Sequence, residues 1–230
     1  MRYSLRIARA AAYACCMLMT SVDAADLLSI GAGYVMQLKS VQQLRTATTM
    51  LQQYDFSCGS AALATLLTHH YGYPVTEQMV FEEMYVSGDQ QLIRQAGFSL
   101  LDMKSYLGKH GFIGDGFVQS LDTLRDAKLP AIVLIIENGY QHFVVIKGVQ
   151  GRRILVGDPA RGTRAIDRAD FEALWPNRLL FVIHDSPITA KFNSTVDWRA
   201  APSAPINANG LGALNTLNTI SLPNKSAGDF

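Results

Sequence analysis

Residues 131–159 read Ala131-IVLIIENGYQHFVVIKGVQGRRILVGD-Pro159. The run Ala131 to Ile136 follows Pro130, is rich in β-branched residues, and is too short and too apolar for an exposed helix, so it predicts a buried strand. His142 to Val149 and Arg153 to Val156 predict two more, punctuated by Gly139, Gly151 and the Gly157-Asp158-Pro159 cluster. Consecutive strands joined by turns this short pair antiparallel. Leu179 to His184 adds a fourth strand, after a short helix from Arg168 to Trp175 that Asp167 is placed to cap.

Upstream the apolar residues fall at helical spacing instead. Ala62, Leu63, Leu66, Leu67 and His70 fall at helical spacing between Gly59 and Tyr71, and Gly72 followed by Pro74 ends that helix. Thr76 before Met79, Val80 and Met84 predicts a second helix, and Ser99 before Leu100, Met103, Tyr106 and Leu107 a third. Helices segregated from strands define an α+β domain, with an N-terminal helical half packed on an antiparallel sheet.

This domain is expected over 41–185, within a chain of 230 residues that is 49% hydrophobic. Residues 1–24 have the form of a signal peptide. Arg2, Arg6 and Arg9 make a basic start, Ala10 to Val22 is apolar, and Val22-Asp23-Ala24 offers a cleavage site after Ala24. An N-terminal extension, 25–40, follows. Residues 186–230 shift to Ser, Asn, Pro, Ala and Thr and are expected to form a flexible tail. Neither the leader nor any later segment reaches the roughly 18 apolar residues of a membrane span, so a periplasmic mature protein with no integral membrane segment is expected.

Three of the 20 basic and one of the 19 acidic residues lie in the leader, leaving 17 against 18 and a net charge of −1. That balance, with no cluster of Lys and Arg, argues against a nucleic-acid partner or an anionic membrane surface. Cys15 and Cys16 also fall in the leader, where bulky Tyr13 disfavours a lipid-anchoring site. The mature chain then holds one cysteine, Cys58, and an exported protein with an unpaired thiol suggests a reactive group or an intermolecular bridge.

Ser57 and Asp55 are both good helix N-cap residues, so Cys58 is expected in the first turn of the 59–71 helix, where free amide N–H groups and the helix dipole favour a thiolate. Of five histidines only His142 opens a strand directly after a turn, where it can serve the thiol as a base. The other four read as surface or capping residues. Adjacent His69 and His70 cannot face one metal ion from a helix, and no metalloprotease spacing occurs. Asp158 ends the strand that pairs with that of His142, where it can be a plain turn aspartate or the acceptor that orients the imidazole. Gln52, six positions before Cys58, can share an oxyanion with the Cys58 N–H, and Gln53 competes for that role.

Four motifs carry a family resemblance: Gln52-QYDFSCGSA-Ala62, His142-FVVIK-Gly148, Gly157-DP-Ala160 and Phe171-EAL-Trp175. In this order the chain resembles the C39 family of cysteine peptidases, over about Gln52 to Ile183. The resemblance implies a papain-like fold, a Cys58, His142 and Asp158 triad with Gln52 at the oxyanion, no cofactor, and a peptide or protein substrate. Transporter-linked members, which cleave leader peptides after paired glycines, place an acidic residue before the cysteine; here Ser57 stands there, and no ATP-binding domain follows. The chain is more similar to stand-alone exported members, some of which accompany functional-amyloid export systems. Two rival readings remain: a transglutaminase-like acyltransferase, and a peptide-binding module without turnover.

Overall fold

The computed structural model describes residues 29–30, 34–35 and 39–203, so the leader, its cleavage site and the chain beyond Ser203 lie outside the described residues. The chain divides into two units, Met1–Ser40 and Val41–Phe230. In the first, β1 (Ser29–Ile30) pairs antiparallel with β2 (Tyr34–Val35). The second opens with α1 (Val41–Thr46) and then α2 (Cys58–Thr65), whose eight residues are all buried. Such a helix carries Ala61, Ala62 and Ala64 because it is enclosed on every side. The helix expected over 59–71 changes character at Leu66, where a π turn, Leu66–His70, widens it before Gly72 ends it at a φ of +67°.

The next helices begin where the capping residues predict. Thr76 caps α3 (Glu77–Ser87) by accepting from Met79 N, and Ser99 forms a capping box with Asp102 at the start of α5 (Leu100–Lys109). Between them lies α4 (Gln90–Ala96), with Asp89 as its cap. Then follow β3 (Ile113–Val118), α6 (Leu121–Ala127), β4 (Ala131–Glu137), β5 (Tyr140–Gln150), β6 (Arg153–Asp158), β7 (Gly162–Asp167), α7 (Arg168–Leu174), β8 (Leu179–His184) and α8 (Thr195–Trp198). Asp167 caps α7 through Ala169 N at 3.0 Å.

Six strands form one antiparallel sheet in the order β3-β8-β4-β5-β6-β7. Strands β4 to β7 run as the expected meander. After β7 the chain crosses back through α7 and inserts β8 between β3 and β4. The continuous apolar runs follow from burial on both faces. Phe143, Val145 and Phe181 pack with α2, α3 and α5, while Val144, Ile146 and Val182 pack with Phe171 and Trp175 of α7 and its C-cap. No helix among the described residues is long and apolar enough to cross a membrane.

The segment after Ser186, expected to be flexible, is docked as far as Ser203. Asn193 N donates to Lys147 O at 3.0 Å, and Arg153 lies over the Trp198 ring, 5.0 Å from its centroid. Asp197 meets the fully buried ammonium of Lys147 at 2.7 Å. A fully buried lysine in β5 needs an acid, and this segment supplies it. His70, read as a surface or capping residue, is also buried, with Nδ1 donating to Lys191 O at 2.6 Å; burial holds its pKa down to about 4.

Candidate active site

Cys58 is the first residue of α2, as the sequence predicts, but the start of that helix is built differently. Ser57 occupies the cap position without capping: its hydroxyl turns back to donate to Tyr54 O and accept from Tyr54 N, both at 3.1 Å. The first turn and the last residue of the helix are tied down instead, since Ser60 donates to Ser57 O and to the buried carboxylate of Glu77, and Thr65 accepts from Met50 N. Gly59 permits the packing, because a Cβ there would lie 2.9 Å from Met103 Cε and 3.0 Å from Phe98 Cβ.

The thiol itself is 7% exposed. Burial raises its pKa above the ordinary 9.0, and the Asp158 charge adds to this, against hydrogen bonds from the backbone N–H groups of Phe143, Gly59 and Cys58 that favour the thiolate. The expected helix-terminal stabilisation is therefore present but outweighed, and the resting group is a thiol. Cys58 shares a core cluster with Phe143, which sets the start of α2 against β5, one residue from His142.

A type of turn that needs two residues at positive φ joins β4 to β5. Asn138 and Gly139 supply it at +54° and +78°, which pairs Ile135 with His142 and Glu137 with Tyr140. Opposed residues share a sheet face, so Glu137, Tyr140 and His142 stand in one set of rows. In the next hairpin Val156 pairs with Arg164 and Asp158 with Gly162, which brings Asp158 and Arg164 to that same face. Register alone thus assembles Glu137, His142, Asp158 and Arg164 from four neighbouring strands.

His142 is buried, its Nε2 lies 3.8 Å from Asp158 Oδ2, and that nitrogen has no hydrogen-bond partner. At 3.8 Å the pair is an electrostatic approach and not a hydrogen bond. Asp158 is held elsewhere: Oδ1 accepts from Ala160 N at 2.9 Å and Oδ2 from Arg164 Nε at 3.0 Å. Arg164 also donates to Glu137 at 3.1 Å, and Arg161 donates to both Glu137 oxygens. Burial lowers the His142 pKa below the ordinary imidazole value; Asp158 and Glu137 pull it back up, while Arg164 and Arg161 push it further down. The resting imidazole is therefore neutral at neutral pH and free to take a proton.

Donor atoms of Glu137, His142 and Asp158 lie within 4.8 Å of one another, close enough for a metal ion. The two guanidinium groups already neutralise both carboxylates, which leaves the trio suited to holding an imidazole. Sequence reasoning found Asp158 and His142 but not Glu137, Arg161 or Arg164. The Asn138-Gly139 pair was the available signal, since it fixes the register that places Glu137 beside His142.

Gln52 is half-buried, and its backbone N–H donates to Pro159 O at 3.0 Å, so its loop runs beside the Asp158 turn. Its side-chain amide donates to Tyr54 O at 3.0 Å, whereas Gln53 is exposed. A cleft of about 410 Å³ opens over Cys58, bordered by Asp55, Phe56, Gly97, Tyr140 and Gln141. The Tyr140 hydroxyl donates to Asp55 O at 2.8 Å and ties the β4–β5 hairpin to the loop before Cys58.

Residues 46–186 match the peptidase C39 family. The chain belongs to that family and is a cysteine peptidase. It is 40% identical over 153 residues to the "probable functional amyloid protease FapD" of Pseudomonas fluorescens, covering 66% of this chain and 67% of that protein. It is 41% identical over 154 residues to the protein of the same description from Pseudomonas aeruginosa, covering 66% and 68%. Among solved structures, the peptidase domain of Streptococcus ComA, a bifunctional ABC transporter involved in quorum sensing, aligns with a TM-score of 0.49 at 25% identity, over 59% of this chain and 96% of that one. The helical half packed on an antiparallel sheet is the papain-like arrangement that the motifs implied.

Proposed function

We propose that this peptidase is exported to the periplasm and cleaves a peptide bond in an exported protein or leader peptide, with Cys58 as nucleophile, His142 as base and Asp158 orienting the base. One observation carries the reading. Cys58 starts a helix packed against β5 at Phe143, the residue after a neutral His142 whose Nε2 faces Asp158 at 3.8 Å.

Phe143 shares its face of the sheet with Cys58, and His142 stands in the opposite row, so the proposed proton transfer requires the imidazole to meet the sulfur round the start of β5. In the proposed cycle His142 takes the thiol proton as the sulfur attacks the substrate carbonyl, then gives it to the leaving amine. Water hydrolyses the thioester with His142 again as base. The Cys58 N–H and the Gln52 amide, released from Tyr54 O, hold the oxyanion. The relatives named for functional amyloid support a substrate among the components of such an export system.

The test is labelling by a thiol-directed peptidyl electrophile, alongside cleavage of candidate exported proteins, in wild type, Cys58→Ala and His142→Ala. Labelling lost in the first variant and slowed in the second, with two peptide products from the substrate, supports the reading. Transfer of the acyl group to added amines in place of water identifies an acyltransferase. Substrate binding without turnover, with labelling indifferent to His142, identifies a binding module.

A further inference from the structure

We propose that Glu137 and Arg164 form a positioning pair for His142, in which Glu137 presents a second carboxylate to the imidazole and Arg164 fixes the spacing of both carboxylates. This rests on the reading of His142 as the base and extends it to two residues outside the triad.

Geometry carries the argument. Asp158 Oδ2 is 3.8 Å from His142 Nε2, too far to hold the ring alone, and that nitrogen is buried with no partner. Glu137 comes to the same nitrogen-rich corner from β4, with its carboxylate within 4.8 Å of both other groups. Two carboxylates this close repel each other unless a cation sits between them. Arg164 is that cation: Nε and Nη2 both lie 3.0 Å from Asp158 Oδ2, and Nη2 lies 3.1 Å from Glu137 Oε2. Arginine suits the place because its planar fork contacts two acceptors at a fixed angle, which a lysine ammonium does not. Arg161 closes the far side of Glu137 at 2.9 and 3.0 Å.

The hairpin geometry serves this contact. Gly162, at a φ of +77°, turns the chain so that β7 returns with Arg164 opposite Val156, two residues from Asp158 along β6. The charged and titratable groups around His142 are then Glu137 from β4, Tyr140 from β5, Asp158 from β6, Arg161 from the β6–β7 turn and Arg164 from β7. The two carboxylates favour the imidazolium and the two arginines oppose it, so the pair sets the protonation of the ring as well as its place.

The experiment follows the His142 ring by nitrogen-15 NMR across pH in the full chain, for wild type, Glu137→Gln, Arg164→Gln and Arg164→Lys. Glu137→Gln removes a negative charge and lowers the ring's pKa by about half a pH unit or more, and Arg164→Gln raises it by a comparable amount. Arg164→Lys keeps the charge and leaves the pKa near wild type, but loses the fork and lowers kcat with KM little changed. A merely structural role does not shift the ring in opposite directions in two folded variants. Shifts of the same sign, or no shift in Glu137→Gln, overturn the proposal. Because the ring is observed without substrate, these outcomes are distinct from failure of the peptidase reading, which shows itself as labelling indifferent to His142.

Discussion

Replacing Asp197 by Asn strips the fully buried ammonium of Lys147 of its only carboxylate partner among the described residues. Breaking a buried ion pair from one side costs about 3–5 kcal/mol. Here Lys147 keeps its hydrogen bonds to Thr48 O at 2.6 Å and Thr48 Oγ1 at 2.7 Å, so the loss falls near the lower end, about 3 kcal/mol. For a protein of this size that corresponds to a fall in Tm of roughly 6–12 °C. The sign of the pH dependence is fixed as well. Burial already holds the Lys147 pKa below its ordinary 10.5 despite Asp197, so the unfolded chain binds the proton more readily, and stability rises with pH between the folded and unfolded values. The variant pushes the folded value lower and widens that window. Its deficit is therefore largest near neutral pH and shrinks as the pH approaches about 10. Urea unfolding followed by tryptophan fluorescence measures this, with Trp198 reporting on the docked segment and Trp175 on the core. A deficit below about 0.5 kcal/mol, or one that does not change with pH, refutes the coupling of this segment to β5. Lys147→Met combined with Asp197→Leu should recover most of the loss, because an apolar pair leaves no buried charge.

Alkylation of Cys58 by a small electrophile in the free protein should accelerate continuously with pH up to and beyond the ordinary thiol value of 9.0, because burial keeps the resting group protonated. A reactivity plateau established by about pH 6 would show a preformed thiolate and contradict the site as described. Gly59→Ala should destabilise by about 1–2 kcal/mol, the crowding against Met103 and Phe98 outweighing the helix propensity gained, and a midpoint in urea equal to or above wild type rejects that balance.

The parts of the fold legible in the sequence are those in which one local signal decides. Thr76, Ser99 and Asp167 start helices because each side chain accepts from the first turn, and the Ala131 run is a strand because it is buried on both faces. Cys58 and His142 were legible as an unpaired thiol and a histidine after a turn. Strand β3 was hidden by Gly114 and Gly116, which read as breakers. Gly114 is there because a Cβ would lie 2.5 Å from Leu107 Cδ1 and 3.0 Å from the Phe181 ring, a packing constraint set by tertiary contacts with α5 and β8. The docked segment was hidden by its composition, since one Trp and one Asp among Ser, Asn and Pro do not raise a window's apolar content. The missed signal lay in β5, where Lys147 interrupts an apolar run and calls for a buried acid from elsewhere in the chain.

On the proposed oxyanion role of Gln52, the same constraints indicate which part of the site moves. Met50 N is bonded to Thr65 and Gln52 N to Pro159 O, Ser57 is bonded to Tyr54, and Asp55 O to Tyr140, so the backbone from 50 to 57 is fastened to α2, to the Asp158 turn and to the β4–β5 hairpin. Cys58 lies at the start of a helix enclosed on all sides. Rotating the Gln52 amide from Tyr54 O toward the Cys58 N–H breaks one hydrogen bond on a half-buried side chain and displaces no backbone. An oxyanion there returns a charge-assisted bond, which is stronger than the neutral bond it replaces. The exchange is therefore favourable only when negative charge develops on the substrate, and a donor with that property stabilises the transition state more than the bound peptide.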